Sequence, residues 1–222
     1  IPQVSSLEVL TDPGNGHFPG VGAEKMWPAA TRLVEFLFDP EVFTTLRGQV
    51  CIELGAGCGV PGMLLACKGM QVHLTDLPWL LPLTELNVAA NFDDDDPQRP
   101  SVAALRWGCA ADVRVLPAPP DLILGADVVY VLEDLPPLFE TLEDLHGPVS
   151  QVIFSIQHRG SSGAHDSGIR QAFEAKARAC GWQLTPGKTR SRGSYSDSRC
   201  SVFLLSRAPH PEKLEPLPAP PS

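Results

Sequence analysis

Short apolar runs alternate along this chain with longer stretches of helical spacing. Val50-Cys-Ile-Glu-Leu54 is a compact apolar run closed by glycines, the pattern of a strand buried on both faces. Comparable runs recur at Gln71–Thr75, Ser101–Arg106, Asp121–Ala126 and Gln151–Ile156, with two more at Trp182–Thr185 and Ser201–Ser206. Between them, Leu135, Leu138, Phe139, Leu142 and Leu145 share one face of a helix predicted over Asp134–His146. Further helices are predicted over Glu24–Phe38, Val60–Lys68, Pro82–Phe92 and Ser167–Cys180, with Gly69 and Gly181 as stops. Pro28 is tolerated only near the start of its helix.

Strands alternating with helices predict an α/β fold: a mainly parallel sheet with helices on both faces. Ligands of such sheets sit at the carboxyl ends of the strands, near the switch in strand order. The residues that matter are therefore expected just after Leu54, Thr75, Arg106, Gly125 and Ile156. A length of 222 residues suits one such domain, expected over residues 23–207. An arm over residues 1–22 precedes it, and a Pro-rich tail over 208–222, expected to be disordered, follows.

Charge and cysteine usage narrow the choice of partners. A net charge of −9 opposes binding to nucleic-acid backbones and suits a cationic partner. No apolar stretch approaches the ~20 residues of a membrane helix, and residues 1–22 show no basic-then-apolar leader, so neither a membrane partner nor a signal peptide is expected. The six cysteines form no CxxC pair and have no His at metal spacing, so no metal site is expected. Cys51 and Cys200, in or beside apolar runs, are expected to be buried reduced thiols, which fits a cytoplasmic setting, with the nucleus as a second one. The acidic run Asp93–Asp96 lacks the alternating ligands of a calcium loop and is read as a solvated turn.

The chemistry is concentrated after the first strand, in Glu53-Leu54-Gly55-Ala56-Gly57-Cys58-Gly59-Val60-Pro61-Gly62. Glycines allow a sharp turn and let a ligand approach the main chain. Gly55, Gly57 and Gly59 give GxGxG, the form common in S-adenosylmethionine enzymes; Gly57, Gly59 and Gly62 give GxGxxG, the dinucleotide fingerprint. Two features favour the first. Glu53, ahead of the glycines, would repel a pyrophosphate but not a cationic ligand, and the second pattern begins three residues too late for its tight turn. The same carboxylate has an alternative use, capping N–H groups of the turn. Asp76, at the end of the second strand with Leu77 beside it, is placed to accept hydrogen bonds from ribose hydroxyls under either pattern.

Other motifs follow in order: Met26-Trp27-Pro28-Ala29-Ala30, Leu105-Arg106-Trp107-Gly108 and Gly125-Ala126-Asp127-Val128-Val129-Tyr130. Together with Glu53–Gly59 and Thr75-Asp76, they resemble methyltransferase family 16, the seven-β-strand protein-lysine methyltransferases. The likeness spans roughly residues 20 to 206. It implies a Rossmann-like class I methyltransferase sheet of seven strands with the last antiparallel, and S-adenosyl-L-methionine as cofactor. It places Trp27, Gly55, Ala56, Gly57, Asp76, Trp107 and Ala126 against that cofactor. Asp127 and Tyr130 form an Asp-x-x-Tyr signature associated with the acceptor.

The resemblance further implies a protein substrate of the chaperone or translation-factor type, methylated on a lysine amine. Oligomeric state is left open, with a monomer expected. Three other readings compete: a small-molecule methyltransferase, a nucleotide-dependent oxidoreductase, and a non-catalytic cofactor-binding or interaction module. Asn87 and Asn91 are read as structural. The segments 157–163, which carries His158, and 190–199 are candidates for contact with substrate.

Overall fold

A computed structural model describes residues 6–11, 26–46, 50–158, 167–188 and 200–207. Its strands are β1 (Val50–Leu54), β2 (Gln71–Asp76), β3 (Ser101–Ala104), β4 (Leu122–Ala126), β5 (Gln151–Gln157), β6 (Trp182–Pro186) and β7 (Cys200–Arg207). Its helices are α1 (Pro28–Leu37), α2 (Pro40–Phe43), α3 (Val60–Ala66), α4 (Leu81–Asn91), α5 (Ala110–Val113), α6 (Leu135–Leu145) and α7 (Ser167–Ala179). The strands form one sheet in the order β3-β2-β1-β4-β5-β7-β6. β1 to β5 are parallel where they pair, and β7 runs antiparallel to both β5 and β6.

Successive side chains of the central strands divide between two cores. Ile52, Leu54, Ile123 and Phe154 face one side, where Leu138, Phe139 and Leu142 of α6 and Phe173 of α7 cover them. Cys51, Leu122, Leu124 and Ile153 face the other, under Leu33 and Phe36 of α1 and Met63 and Leu65 of α3. Burial on both faces is why these strands read as unbroken apolar runs. Each such side chain contributes about 1.5–3 kcal/mol by leaving water.

The boundaries differ from expectation where side chains intervene. The helix expected from Glu24 starts at Pro28, whose ring lacks an N–H and holds Trp27 in an extended conformation, with ψ 152°. The third strand stops at Ala104 instead of Arg106, because the Arg106 N–H and guanidinium both turn to Asp112. Asp121 precedes its strand and uses its carboxylate to accept from Val50 N at 2.9 Å. The one-turn helices α2 and α5 are too short for any periodicity; Asp39 starts α2 by accepting from Glu41 N. None of the six cysteines is in a disulfide; Cys51 is buried as expected, whereas Cys200 is partly exposed.

Part of the arm packs onto the domain. Leu7 and Val9 lie against the second core. Asn87 exchanges hydrogen bonds with both Leu10 N and Leu10 O, and Asn91 does the same with Glu8. The rest of the arm, most of loop 157–163, the segment 190–199 and the tail 208–222 lie outside the described residues.

Candidate cofactor and acceptor cleft

β1 is where the strand order switches, with β2 on one side and β4 on the other. The carboxyl ends of these three strands open into a cleft of about 250 Å3. Gly55, Gly57 and Gly59 take φ of 60°, 51° and 72°, left-handed values that favour glycine. At Gly55 space is also limiting: a Cβ would stand 2.7 Å from Val128 Cγ1 and 3.7 Å from Trp107 Cζ2. The turn is fastened from beneath by Ala56 N donating to Thr75 O at 2.9 Å and Thr84 Oγ1 donating to Gly57 O at 2.7 Å. The cleft therefore has a bare main-chain wall.

Glu53 is 1% exposed, and its Oε2 accepts from Gly62 N at 2.8 Å. A Cβ on Gly62 would stand 2.6 Å from that same oxygen. The third glycine of the GxGxxG pattern thus makes room for Glu53, and needs no pyrophosphate to account for it. Burial pushes the Glu53 carboxyl up to about 8, with the Gly62 N–H opposing and the Asp76 charge adding to the rise. A cationic ligand would reverse that shift.

Asp76 closes β2. Its Oδ2 accepts from Gly57 N at 2.8 Å and its Oδ1 from Leu77 N at 2.7 Å. Desolvation raises its carboxyl above the usual range despite these bonds. Each oxygen has a further lone pair for a ligand hydroxyl.

The structure brings the remaining predicted residues to the same cleft. Trp27 reaches it from the N-terminus of α1, Trp107 from the turn after β3, Leu77 from the end of β2, and Ala126, Asp127 and Tyr130 from the end of β4. Asp127 has φ 55°, is 6% exposed, and donates its N–H to Ser155 O at 2.8 Å. His158 does not line the cleft; its Nε2 lies 2.8 Å from Ser201 Oγ. The sequence reading missed Met26, Cys58, Leu80, Arg106, Asp134 and Pro137 as lining residues. Met26, Cys58 and Arg106 stand within the motifs without a role assigned to them, and Leu80, Asp134 and Pro137 were signalled only by lying a few residues beyond.

A family model described as lysine methyltransferase matches residues 7–169, well over half of the chain. The chain belongs to this lysine methyltransferase family. Among its lysine methyltransferase relatives, EEF1A lysine methyltransferase 3 of Xenopus tropicalis is 38% identical over 141 residues, covering 64% of this chain and 60% of that protein. The protein N-lysine methyltransferase METTL21A of Danio rerio is 37% identical over 137 residues, covering 62% of this chain and 62% of that protein. The chain thus spans about 60% of the length of the curated relatives it matches. Magnesium protoporphyrin IX methyltransferase of Synechocystis PCC 6803, solved with bound SAH, superposes with a TM-score of 0.58 at 14% identity, covering 82% of this chain and 84% of that one. At that identity the likeness is one of fold, the class I methyltransferase sheet.

Proposed function

We propose that this lysine methyltransferase family member binds S-adenosylmethionine in the β1–β2–β4 cleft and transfers its methyl group to a lysine amine of a protein. The observation that carries the reading is the meeting of Glu53, the Gly55–Gly59 turn and Asp76 in one cleft with Asp127 and Tyr130. The left-handed glycine turn lines the cleft with main chain, which fits a ligand laid along it. Asp76 would hold the ribose, Glu53 would face the cationic methionine end, and Trp107 would cover the adenine. Trp27, Ala56, Gly57, Leu77 and Ala126 would complete the wall around the cofactor.

S-adenosylmethionine supplies a methyl group already activated by its positive sulfur. The chain's part is to aim the acceptor and to present its free electron pair. A lysine amine has a free pKa of about 10.4, so only about one in a thousand is neutral at pH 7.4. The Asp127 carboxylate, which lines the cleft, would draw in and orient the ammonium. Desolvation in the cleft would favour proton loss, and Tyr130 would hydrogen-bond the neutral amine.

The proposed substrate class is supported by relatives whose names specify protein lysine methylation, one of them for EEF1A. The net charge of −9 suits a basic segment. The test is labelling of cell extract with methyl-tritiated S-adenosylmethionine, followed by mass spectrometry of the labelled band. Label on a protein lysine is expected; label only in small solutes would overturn the acceptor assignment. On the identified substrate, Asp127→Asn and Tyr130→Phe should each lower kcat/KM roughly ten- to hundredfold, the loss of one strong hydrogen bond. Asn tolerates the left-handed backbone at position 127, so that variant isolates the charge.

A further inference from the structure

The turn that carries Trp107 rests on α6 through one buried hydroxyl. Gly108 N donates to Thr141 Oγ1 at 2.8 Å, and Thr141 Oγ1 donates to Pro137 O at 3.0 Å. With its single proton committed to Pro137 O, the hydroxyl oxygen is left as an acceptor aimed at Gly108. Thr141 is wholly buried, on a helix whose neighbouring inward residues are Leu138, Phe139, Leu142 and Leu145. Valine has the same shape and would pack there with no hydroxyl to desolvate. What distinguishes threonine at this site is the bond to Gly108.

Two further contacts locate the turn. Gly108 has φ 75°, and a Cβ on it would meet Pro137 Cβ and Glu140 Oε2 at 3.1 Å each, so the main chain lies directly on α6. On the other side of Trp107, Arg106 is clipped by Asp112, with Nε–Oδ2 at 2.8 Å and Nη2–Oδ1 at 2.9 Å. The Arg106 side chain is 59% exposed, so solvent weakens this clip; the part-buried bond to Thr141 ends on a wholly buried side chain and is the firmer of the two anchors. Between the anchors stands Trp107, its Cζ2 3.7 Å from the point a Gly55 Cβ would occupy.

We infer that Thr141 is a positioning residue: through the Gly108 N–H it sets where the Trp107 ring stands over the glycine turn, and thereby how tightly the cleft closes on its cofactor. The cofactor half of this inference rests on the function proposed above; the Thr141–Trp107 link does not.

The full chain is labelled with 5-fluorotryptophan, and the Trp107 fluorine resonance is identified by its loss in Trp107→Phe. Affinity for S-adenosylhomocysteine is measured by calorimetry on the same proteins. Thr141→Val should shift or broaden the Trp107 line, leave the buried Trp182 line in place, and weaken binding roughly tenfold. Thr141→Ser, which keeps the hydroxyl, should restore both to wild-type values. Gly108→Ala, which pushes the turn off α6 without touching the core, should reproduce the valine result should that variant not fold.

A Trp107 line and an affinity unchanged in Thr141→Val or Gly108→Ala would overturn the inference. So would a Trp182 line that moves together with Trp107, since that marks general loosening. A wild-type protein that binds no S-adenosylhomocysteine would instead remove the functional proposal, and the Trp107 line alone would then decide whether Thr141 places the ring.

Discussion

Glu53 and Asp127 differ in how each is held. Glu53 lines the cleft but is almost wholly buried, its oxygen against Gly62 N, and burial raises its carboxyl from the ordinary 4.5 to about 8. The folded form therefore holds its proton across a window in which the unfolded chain has released it. Its stabilising contribution is complete below about pH 4.5 and is lost as pH rises through about 8. The ligand-free protein should thus lose stability between about pH 4.5 and 8, on the order of a few kcal/mol, in thermal melts. Glu53→Gln should flatten that part of the profile. A Glu53→Gln profile parallel to wild type would exclude Glu53 as the group responsible. At pH 7 a cationic ligand should displace up to one proton, which calorimetry in buffers of different ionisation enthalpy would register. Asp127 instead owes its direction to its backbone, whose left-handed φ of 55° is unusual for any residue but glycine, asparagine or aspartate. The sequence shows that a carboxylate ends β1 and another follows β4. It does not show which N–H the first meets, because Gly62 is brought to it by the folding of α3.

Elements were legible in proportion to how much of their order comes from burial. β1, β4 and β5 lie inside the sheet with both faces covered, and their apolar runs mark them almost to the residue. β3 is an edge strand whose end is set by the Arg106–Asp112 pair, and α2 by a single Asp39 cap, so patterning carries little information about either. The strap at residues 8–10 was invisible for the same reason: it is ordered by two asparagine side chains one helical turn apart, each bonding both polar groups of one backbone residue. Asn87 is wholly buried and also donates to Leu83 O. Asn87→Ala should therefore destabilise the protein by about 1–3 kcal/mol, the cost of leaving backbone groups of the strap unsatisfied, read from chemical denaturation. Asn91→Ala, at a more exposed bond, should cost less. Equal and negligible effects at both positions would mean the strap adds nothing to the fold.

At the scale of the molecule, one cleft collects the residues expected at the cofactor and the acceptor, although they come from positions between 27 and 130 of the chain. That convergence follows from the strand order: β1, β2 and β4 are adjacent, so the turn after β1, the carboxylate ending β2 and the Asp-x-x-Tyr segment after β4 must meet at one edge. The family match to residues 7–169 includes all of these motifs, whereas β6 and β7 fall beyond it. With a net charge of −9, binding to a basic substrate segment should weaken as salt rises past the point where the Debye length falls below about 10 Å. Cofactor affinity, set inside the cleft, should respond far less. The central claim is that Asp76 and the Gly55–Gly59 turn form an S-adenosylmethionine site. Isothermal calorimetry of the folded chain with S-adenosylhomocysteine, beside Asp76→Ala, tests it most directly. One site per chain is predicted, weakened roughly a hundredfold in the variant by loss of two ribose hydrogen bonds and of the turn contacts at Gly57 and Leu77. Absence of heat in well-folded wild type, or equal affinity in the two proteins, would contradict it.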